Sequence, residues 1–311
     1  MCALPYALLS TLLTAAPAVA QVVVMEPVPD YGERRFRAHA TGGYQTETEI
    51  EGGGSFDVRA LRMQLGGGGP LTKSVHFFTE VAYEHTSYAF GLTSPLACPD
   101  PAACFLGSPF GEVHTVDIAP GLALALGEAF QLQAILPFRW QAESNADESG
   151  VTAGLIAMLS MRLSRSFAFG VGVGVQNELE DDTRVYPVVS LDWRPTRHAR
   201  LRTRGGPYQG ASFELLLGPS DTLQFTFGAA WERQRFRMDG WPPNPNGVAQ
   251  VESLPLLTGF RLNFGRRAYL HFEGGLTVDG SLELTDAWGR LLRTADYASA
   301  GVVRGGLRVR F

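Results

Sequence analysis

The chain has 311 residues, of which 45% are hydrophobic, 18% charged and 11% aromatic, with 36 glycines. Lys+Arg number 26 against 31 Asp+Glu, a formal net charge of −5, which excludes a nucleic-acid binder driven by bulk basic charge. The charged fraction lies below the ~25% of soluble domains, and the hydrophobic fraction is too high for a disordered chain.

Residues 1–20 read MCALPYALLSTLLTAAPAVA. A short apolar stretch followed by Ala18-Val19-Ala20 has the form of a secretory signal peptide cleaved before Gln21. No Lys or Arg precedes the apolar stretch, so the true start codon is open. The stretch is too short for a spanning helix, which needs ~20 apolar residues, and no later run is long enough either. Residues 21–35 read as an N-terminal segment ahead of the first strand.

From residue 36 onward the pattern is alternation. Leu132, Ala134, Leu136, Phe138 and Trp140 share one face, with Gln131, Gln133, Arg139 and Gln141 on the other. Phe167, Phe169, Val171, Val173 and Val175 alternate with Gly170, Gly172, Gly174 and Gln176, and Leu223, Phe225, Phe227 and Trp231 alternate with Gln224, Thr226 and Glu232. Strict period two gives each strand one apolar and one wet face. These segments run longer than the ~5–6 residues of ordinary strands and match the ~9–11 that a tilted strand needs to cross a bilayer. Only a closed barrel can cross with strands, because every backbone group must pair. The fold expected is all-β: a closed antiparallel transmembrane barrel over residues 36–311.

Short turns at Gly66–Ser74, Gly127–Ala129, Ser164–Ser166, Arg194–His198, Gly218–Asp221 and Gly265–Arg267 alternate with connections at Ile50–Gly54, Ala89–Glu112, Glu143–Ser149, Asn177–Thr183, Gly205–Tyr208, Met238–Ala249 and Asp279–Asp296. They imply fourteen strands. The count falls to twelve if the Arg202 segment or the first hairpin stands outside the ring. Trp140 and Trp231 fall at the long-loop end, and Phe130, Phe167, Trp193 and Phe264 flank short turns, as two aromatic belts require.

Cys98 and Cys104, within the Pro-rich CPDPAAC, have the spacing of a local disulfide in an oxidising compartment. No His or third Cys adjoins them, so a metal site there is unfavoured. Inward positions carry Glu80, Glu84, Asp117, Arg139, Arg162, Asp192, Arg194, Glu214, Glu232, Arg261, His271, Glu273, Arg304 and Arg308. Both signs occur in similar number, as in an ion-paired lumen or a screened aqueous pore. The Ala89–Glu112 loop could fold inward and narrow it.

The chain ends Arg304-Gly-Gly-Leu-Arg-Val-Arg-Phe311. Tyr297, Val303, Leu307, Val309 and Phe311 share a face by alternation, opposite Arg304, Arg308 and Arg310. Arg304, Gly306, Val309 and Phe311 resemble the C-terminal recognition signal of bacterial outer-membrane barrels, although Val309 is aliphatic where an aromatic is common. The resemblance implies insertion by the barrel-assembly machinery, outer-membrane lipid as surroundings, and both termini in the periplasm. At finer grain, residues 188–198, Phe213-Glu-Leu215, residues 230–236 and residues 282–289 look like regions of a family of uncharacterised outer-membrane barrels of unknown function. That likeness implies a place and a fold, not a reaction.

An enzyme reading rests on His85-Thr86-Ser87, since some outer-membrane barrels hydrolyse lipids with a His-x-Ser pair on an outward strand near the rim. A serine nucleophile also needs a group that orients the histidine, and the sequence offers no obvious Asn or acid partner. Gly170–Gly174 does not open a helix, so it is no phosphate cradle, and Gly66–Gly69 reads as a turn. None of the six histidines has an acid at metal-ligand spacing. The expectation is a non-enzymatic barrel without cofactor, either a passive porin-like channel or a structural barrel. A binding or adhesion barrel would instead use the loops at Ala89–Glu112, Trp241–Asn246 and Asp279–Asp296.

Overall fold

The computed structural model describes residues 23–24, 35–91, 109–146, 150–204, 210–218, 220, 222–239, 246–265 and 267–311. The signal-like stretch 1–20 and the pair Cys98 and Cys104 lie outside the described residues.

Fourteen segments each pair with their chain neighbour. They are β1 (Arg35–Glu49), β2 (Ser55–Pro70), β3 (Val75–Gly91) and β4 (Glu112–Leu126). Next come β5 (Phe130–Ile135 continued by Phe138–Glu143), β6 (Val151–Ser164), β7 (Phe167–Glu178), β8 (Asp181–Thr196) and β9 (Ala199–Arg204). The ring continues with β10 (Ala211–Leu217), β11 (Leu223–Arg237), β12 (Val248–Phe264), β13 (Ala268–Thr285) and β14 (Leu291–Tyr297 continued by Ala300–Arg310). Antiparallel pairing from Val302↔Gln45 to Arg310↔Arg37 joins β14 to β1 and closes the ring. Pro137, which has no N–H to give the ladder, marks the interruption in β5, and Ala298-Ser299 marks that in β14.

The wall follows the alternation. Phe225 and Phe227 are 46% exposed on the outside, while Thr226 between them is buried. Leu65, Leu122, Leu132, Leu155, Val171, Leu270 and Leu307 continue the exposed apolar face around the ring. Inside, Asp117, Gln133, Gln141, Thr152, Glu214, Arg261, His271 and Arg308 are buried. A water-soluble monomer does not present an apolar belt of this extent. A closed sheet with no free edge can present one to lipid.

Three sequence expectations need correction. Gly66–Gly69 is not a turn: these residues lie in β2 and pair with β3, and the turn is 71–74. Most of Asp279–Asp296 is strand, so the β13–β14 loop shrinks to 286–290. Tyr297 does not share the outward face of Val303: it is buried inside, because the break at Ala298-Ser299 shifts the phase of β14.

The 286–290 turn is closed by Asp286, whose Oδ1 accepts hydrogen bonds from the N–H groups of Trp288 and Arg290, each at 2.9 Å. Burial works against its charge, but these donors and the Arg290 guanidinium outweigh it and hold the carboxyl below its ordinary value. Gly289, at φ +77°, lies directly against the Glu180 carbonyl of the β7–β8 turn.

Glycines on the inner face make room for tyrosines. Tyr186 lies over Gly174 and Tyr297 over Gly280, its cross-strand partner in each case. Gly280→Val would put methyl groups into the space of the Tyr297 ring. Overpacking of this kind costs about 1–3 kcal/mol. The temperature at which the folded barrel loses its compact mobility on a semi-native gel is therefore expected to fall, and to fall less for Gly280→Val in a Tyr297→Ala background.

The wall is uneven at β9 and β10. They have 6 and 7 residues, against 15 and 17 in β11 and β12. At ~3.3 Å per residue, β9 and β10 end well below their neighbours. Above Arg202 the β8 edge loses its strand partner, and the Thr203 hydroxyl bonds Leu191 N at 2.9 Å in its place. Higher still, Val23–Val24 pairs parallel with Val188–Val189 and continues the sheet over the notch.

Candidate functional site: the lumen and its closed end

Beyond Trp231, β11 no longer has β10 beside it, and the in–out alternation of exposure stops. The strand leans across the barrel mouth. Arg237 pairs in parallel with Ala142 of β5, and the N–H of Asp239 donates to Glu143 Oε2 at 3.0 Å. At this end the ring therefore closes from β11 to β5 and leaves out β6–β10.

Both faces of the leaning segment are covered. Phe236, Arg237 and Met238 are buried in succession, as are Val248, Ala249 and Gln250 of β12. The even positions face an apolar core that fills the smaller ring: Phe236 and Met238 pack with Phe56, Tyr88, Phe110, Leu282 and Tyr297. Edge-to-face contacts join Tyr88 to Phe110 at 4.9 Å, Phe110 to Phe236 at 4.9 Å and Phe56 to Tyr297 at 5.0 Å between ring centroids. Such contacts add to the stabilisation from burial alone. The odd positions carry Arg233, Arg235 and Arg237. Their partners line the β7–β8 hairpin tip: Glu178 at 2.7 Å, the Leu179 carbonyl at 2.7 Å and Glu180 at 2.5 Å, respectively.

Beneath this cap lies a cavity of about 890 Å³ that reaches the short-turn end of the barrel. Arg37, Arg165, Arg194, Arg200 and Arg310 line its lower part, and Phe56, Tyr88 and Tyr297 form its roof. Of the residues that alternation places inward, Glu80, Glu84, Arg139, Arg162, Asp192, Arg194, Glu214, Glu232, His271, Glu273, Arg304 and Arg308 line this cavity.

The charges are paired across and around it. Asp117 accepts bonds from Arg139 at 2.7 Å and Arg62 at 2.8 Å, and Arg62 also bonds Glu84 at 2.9 Å. Glu84 Oε1 accepts from Gln234 Nε2 at 3.0 Å, and Gln234 Oε1 accepts from the Tyr88 hydroxyl at 2.6 Å. That chain ties the ion pairs to the apolar roof. Arg304 of β14 reaches over β13 and β12 to Glu232 of β11 at 2.5 Å. Lower down, Glu214 is clamped between Arg202 at 2.6 Å and Arg261 at 3.0 Å, and all three side chains are less than a tenth exposed. Arg261 also stacks on the Tyr269 ring, 4.4 Å from its centroid.

Sequence reasoning missed Arg62, Arg202 and the Arg233–Arg237 set. Arg62 stands on the inner parity of β2 and was there to be read. Arg233, Arg235 and Arg237 stand on the same parity as the lipid-facing Phe225 and Phe227. Three arginines on a face meant for lipid are the signal that β11 leaves the wall.

The C-terminal residues Arg304, Gly306 and Val309 lie in β14, and Phe311 follows it with its side chain 77% exposed. The loop 92–108 and the segment 240–245, which carry most of two proposed binding loops, lie outside the described residues.

His85 and Ser87 are on the outward face, at the long-loop end of β3. The expectation that His85 has no acid near it is overturned. Register puts His85 opposite His114 and Ser87 opposite Glu112, and the Glu112 carboxylate lies 3.9 Å from His85 Nε2. The residues are 27 positions apart in sequence, so local spacing could not reveal them. Among the described residues no hydrogen bond joins Ser87 to His85, so a nucleophile and its base are not engaged there.

No family model and no curated protein matches the chain, so the finer likeness to a particular barrel family has no counterpart among them. Solved structures do match. The chain is similar to a mutant of TodX, a monoaromatic hydrocarbon channel, with TM-score 0.50 and 8% identity over 91% of each chain. It is also similar to the COG4313 outer-membrane channel of Pseudomonas putida F1 (TM-score 0.45, 11% identity, 96% of this chain and 100% of that one). A third match is the translocator domain of the autotransporter NalP from Neisseria meningitidis (TM-score 0.36, 12% identity, 89% and 88%). At 8% identity the TodX likeness bears on the fold alone, and it agrees with the closed antiparallel barrel of the outer-membrane type seen in the strand pairing.

Proposed function

We propose that the chain is an integral outer-membrane barrel that acts as a porin-like passage for small polar solutes, non-enzymatic and closed at rest at its outer end. The first strand of the ring starts and the last one ends on the short-turn side, where Arg37 pairs with Arg310, and in this reading that side is periplasmic. The observation that carries it is the cavity of about 890 Å³, lined by charges of both signs and roofed by Phe56, Tyr88 and Tyr297, against which Phe110 and Phe236 pack. A lumen that served only to stiffen a barrel would be filled along its length. This one is filled at one end, and the filling hangs on the end of β11, which parts from β10 and leans across the mouth with β12 still paired to it. Paired charges favour neither cations nor anions strongly, so the passage is expected to discriminate by size.

Swelling of liposomes that contain the barrel tests this. Small sugars and amino acids are expected to enter slowly, with rates that fall as solute size rises. Swelling no faster than in empty liposomes, both for the native chain and for variants that remove the roof, would leave a structural barrel as the better reading.

A further inference from the structure

We propose that His85, Glu112 and His114 form a divalent transition-metal site on the outward face of the barrel at its long-loop rim, with Zn²⁺ as the ion its donors fit. The ligand atoms of the three side chains all lie within 4.8 Å of one another. The strand ladder sets this up. His85 and His114 are direct cross-strand partners in β3 and β4, and Glu112 precedes His114 by two residues, so it shares its face. The imidazole rings stack at 5.0 Å between centroids, with 29° between their planes.

The distances suit an ion better than a bare ion pair. At 3.9 Å, Glu112 Oε2 and His85 Nε2 are too far apart for a hydrogen bond. Donors at ~2.0–2.1 Å around a tetrahedral Zn²⁺ stand about 3.3 Å from one another. A closure of roughly half an ångström, within reach of side-chain rotation alone, brings this pair to that spacing.

The surroundings hold the donors in place. The Tyr83 hydroxyl contacts His114 Nδ1 at 2.8 Å, and Ser144 Oγ contacts His114 Nε2 at 3.0 Å. Ser144 Oγ also bonds the Glu112 carbonyl at 3.3 Å. Whichever nitrogen of His114 takes the ion, the other keeps a hydroxyl partner, the arrangement that orients metal-bound histidines. Two imidazoles and a carboxylate select Zn²⁺, Cu²⁺ or Ni²⁺ over Ca²⁺ and Mg²⁺, which prefer oxygen. His85 and Glu112 have side-chain exposures of 35% and 62%, so a fourth position opens to water. Three protein ligands and one water is a common coordination for zinc. Bound there, the ion would clamp β3 to β4 where the rim meets solvent.

The test is a calorimetric titration of Zn²⁺ into the barrel in detergent micelles, prepared without a histidine tag. One Zn²⁺ per chain is expected, with a dissociation constant on the order of micromolar. His85→Ala, His114→Ala and Glu112→Gln should each weaken binding by at least about tenfold, equivalent to 1.4 kcal/mol. Tyr83→Phe should weaken it less, and His198→Ala, at the opposite end of the barrel, should leave it unchanged. Heat-dependent gel mobility shows that each variant is folded. No saturable binding up to millimolar Zn²⁺, or full binding by the folded His85→Ala/His114→Ala double variant, overturns the proposal. Neither result bears on the passage through the lumen.

Discussion

Removal of the Tyr88 and Phe236 rings is expected to turn a nearly silent barrel into a conducting one. In planar bilayers the Tyr88→Ala/Phe236→Ala variant should show stepwise openings several-fold larger and more frequent than those of the native chain. The two rings are buried at the centre of the cap, and Phe110 packs edge-on against both. Tyr88 also holds Gln234, which reaches Glu84 across the lumen. Their loss opens the space between the cavity roof and the outside and frees β11 from the β3 wall. A buried Phe→Ala change costs about 3–5 kcal/mol, so part of the preparation is expected to unfold. The current is therefore scored only on material with the compact gel mobility of a folded barrel. Folded double variants that conduct no better than the native chain would show that the closure lies elsewhere.

The second large effect concerns stability. Glu214→Gln removes a charge that both Arg202 and Arg261 pair with, at a site where all three side chains are nearly inaccessible. Breaking a buried ion pair by removing one partner costs on the order of 3–5 kcal/mol. Glu80→Gln breaks a pair with Arg37 whose side chains are 23% and 30% exposed, and an exposed pair is worth about 0–1 kcal/mol. Urea unfolding in lipid vesicles should separate the two variants clearly, with the Glu214 midpoint well below the Glu80 one. Equal small shifts would mean that water reaches Glu214.

The barrel was legible in the sequence because its chemistry is local. An apolar residue at every second position, as in 151–163 or 167–175, reports the two faces of a membrane strand directly. The change from short turns to longer connections reports the direction of each strand. Even the short pair around Leu201 and Phe213 forms two strands of the ring, which brings the number to fourteen. What stayed hidden depends on where strands stop being neighbours. Alternation says which face a residue is on but not what lies beyond that face. β9 and β10 are short, so β11 loses a partner beyond Trp231 and finds one across the mouth at Ala142, and the cap follows. Arg233, Arg235 and Arg237 carried the sign of this, because an arginine ladder cannot face hydrocarbon cheaply. Tyr297 was misplaced for a related reason: a break of two residues shifts the phase, and period two has no way to announce it. The His85–Glu112–His114 group is hidden more simply. It is a product of register between β3 and β4, with a long connection between its members.

The most direct measurement is a nitroxide scan along β11 in lipid bilayers, from Leu223 to Met238, with accessibility to oxygen and to a water-soluble nickel reagent read at each position. Labels at Phe225 and Phe227 are predicted to meet oxygen in the lipid, and Thr226 to be shielded from it. From Arg233 onward the alternation should vanish, and labels at Phe236 and Met238 should be shielded from both reagents. Alternation that continues to Arg237, with Phe236 open to the nickel reagent, would show that β11 stays in the wall and that the long-loop end of the barrel is open to water.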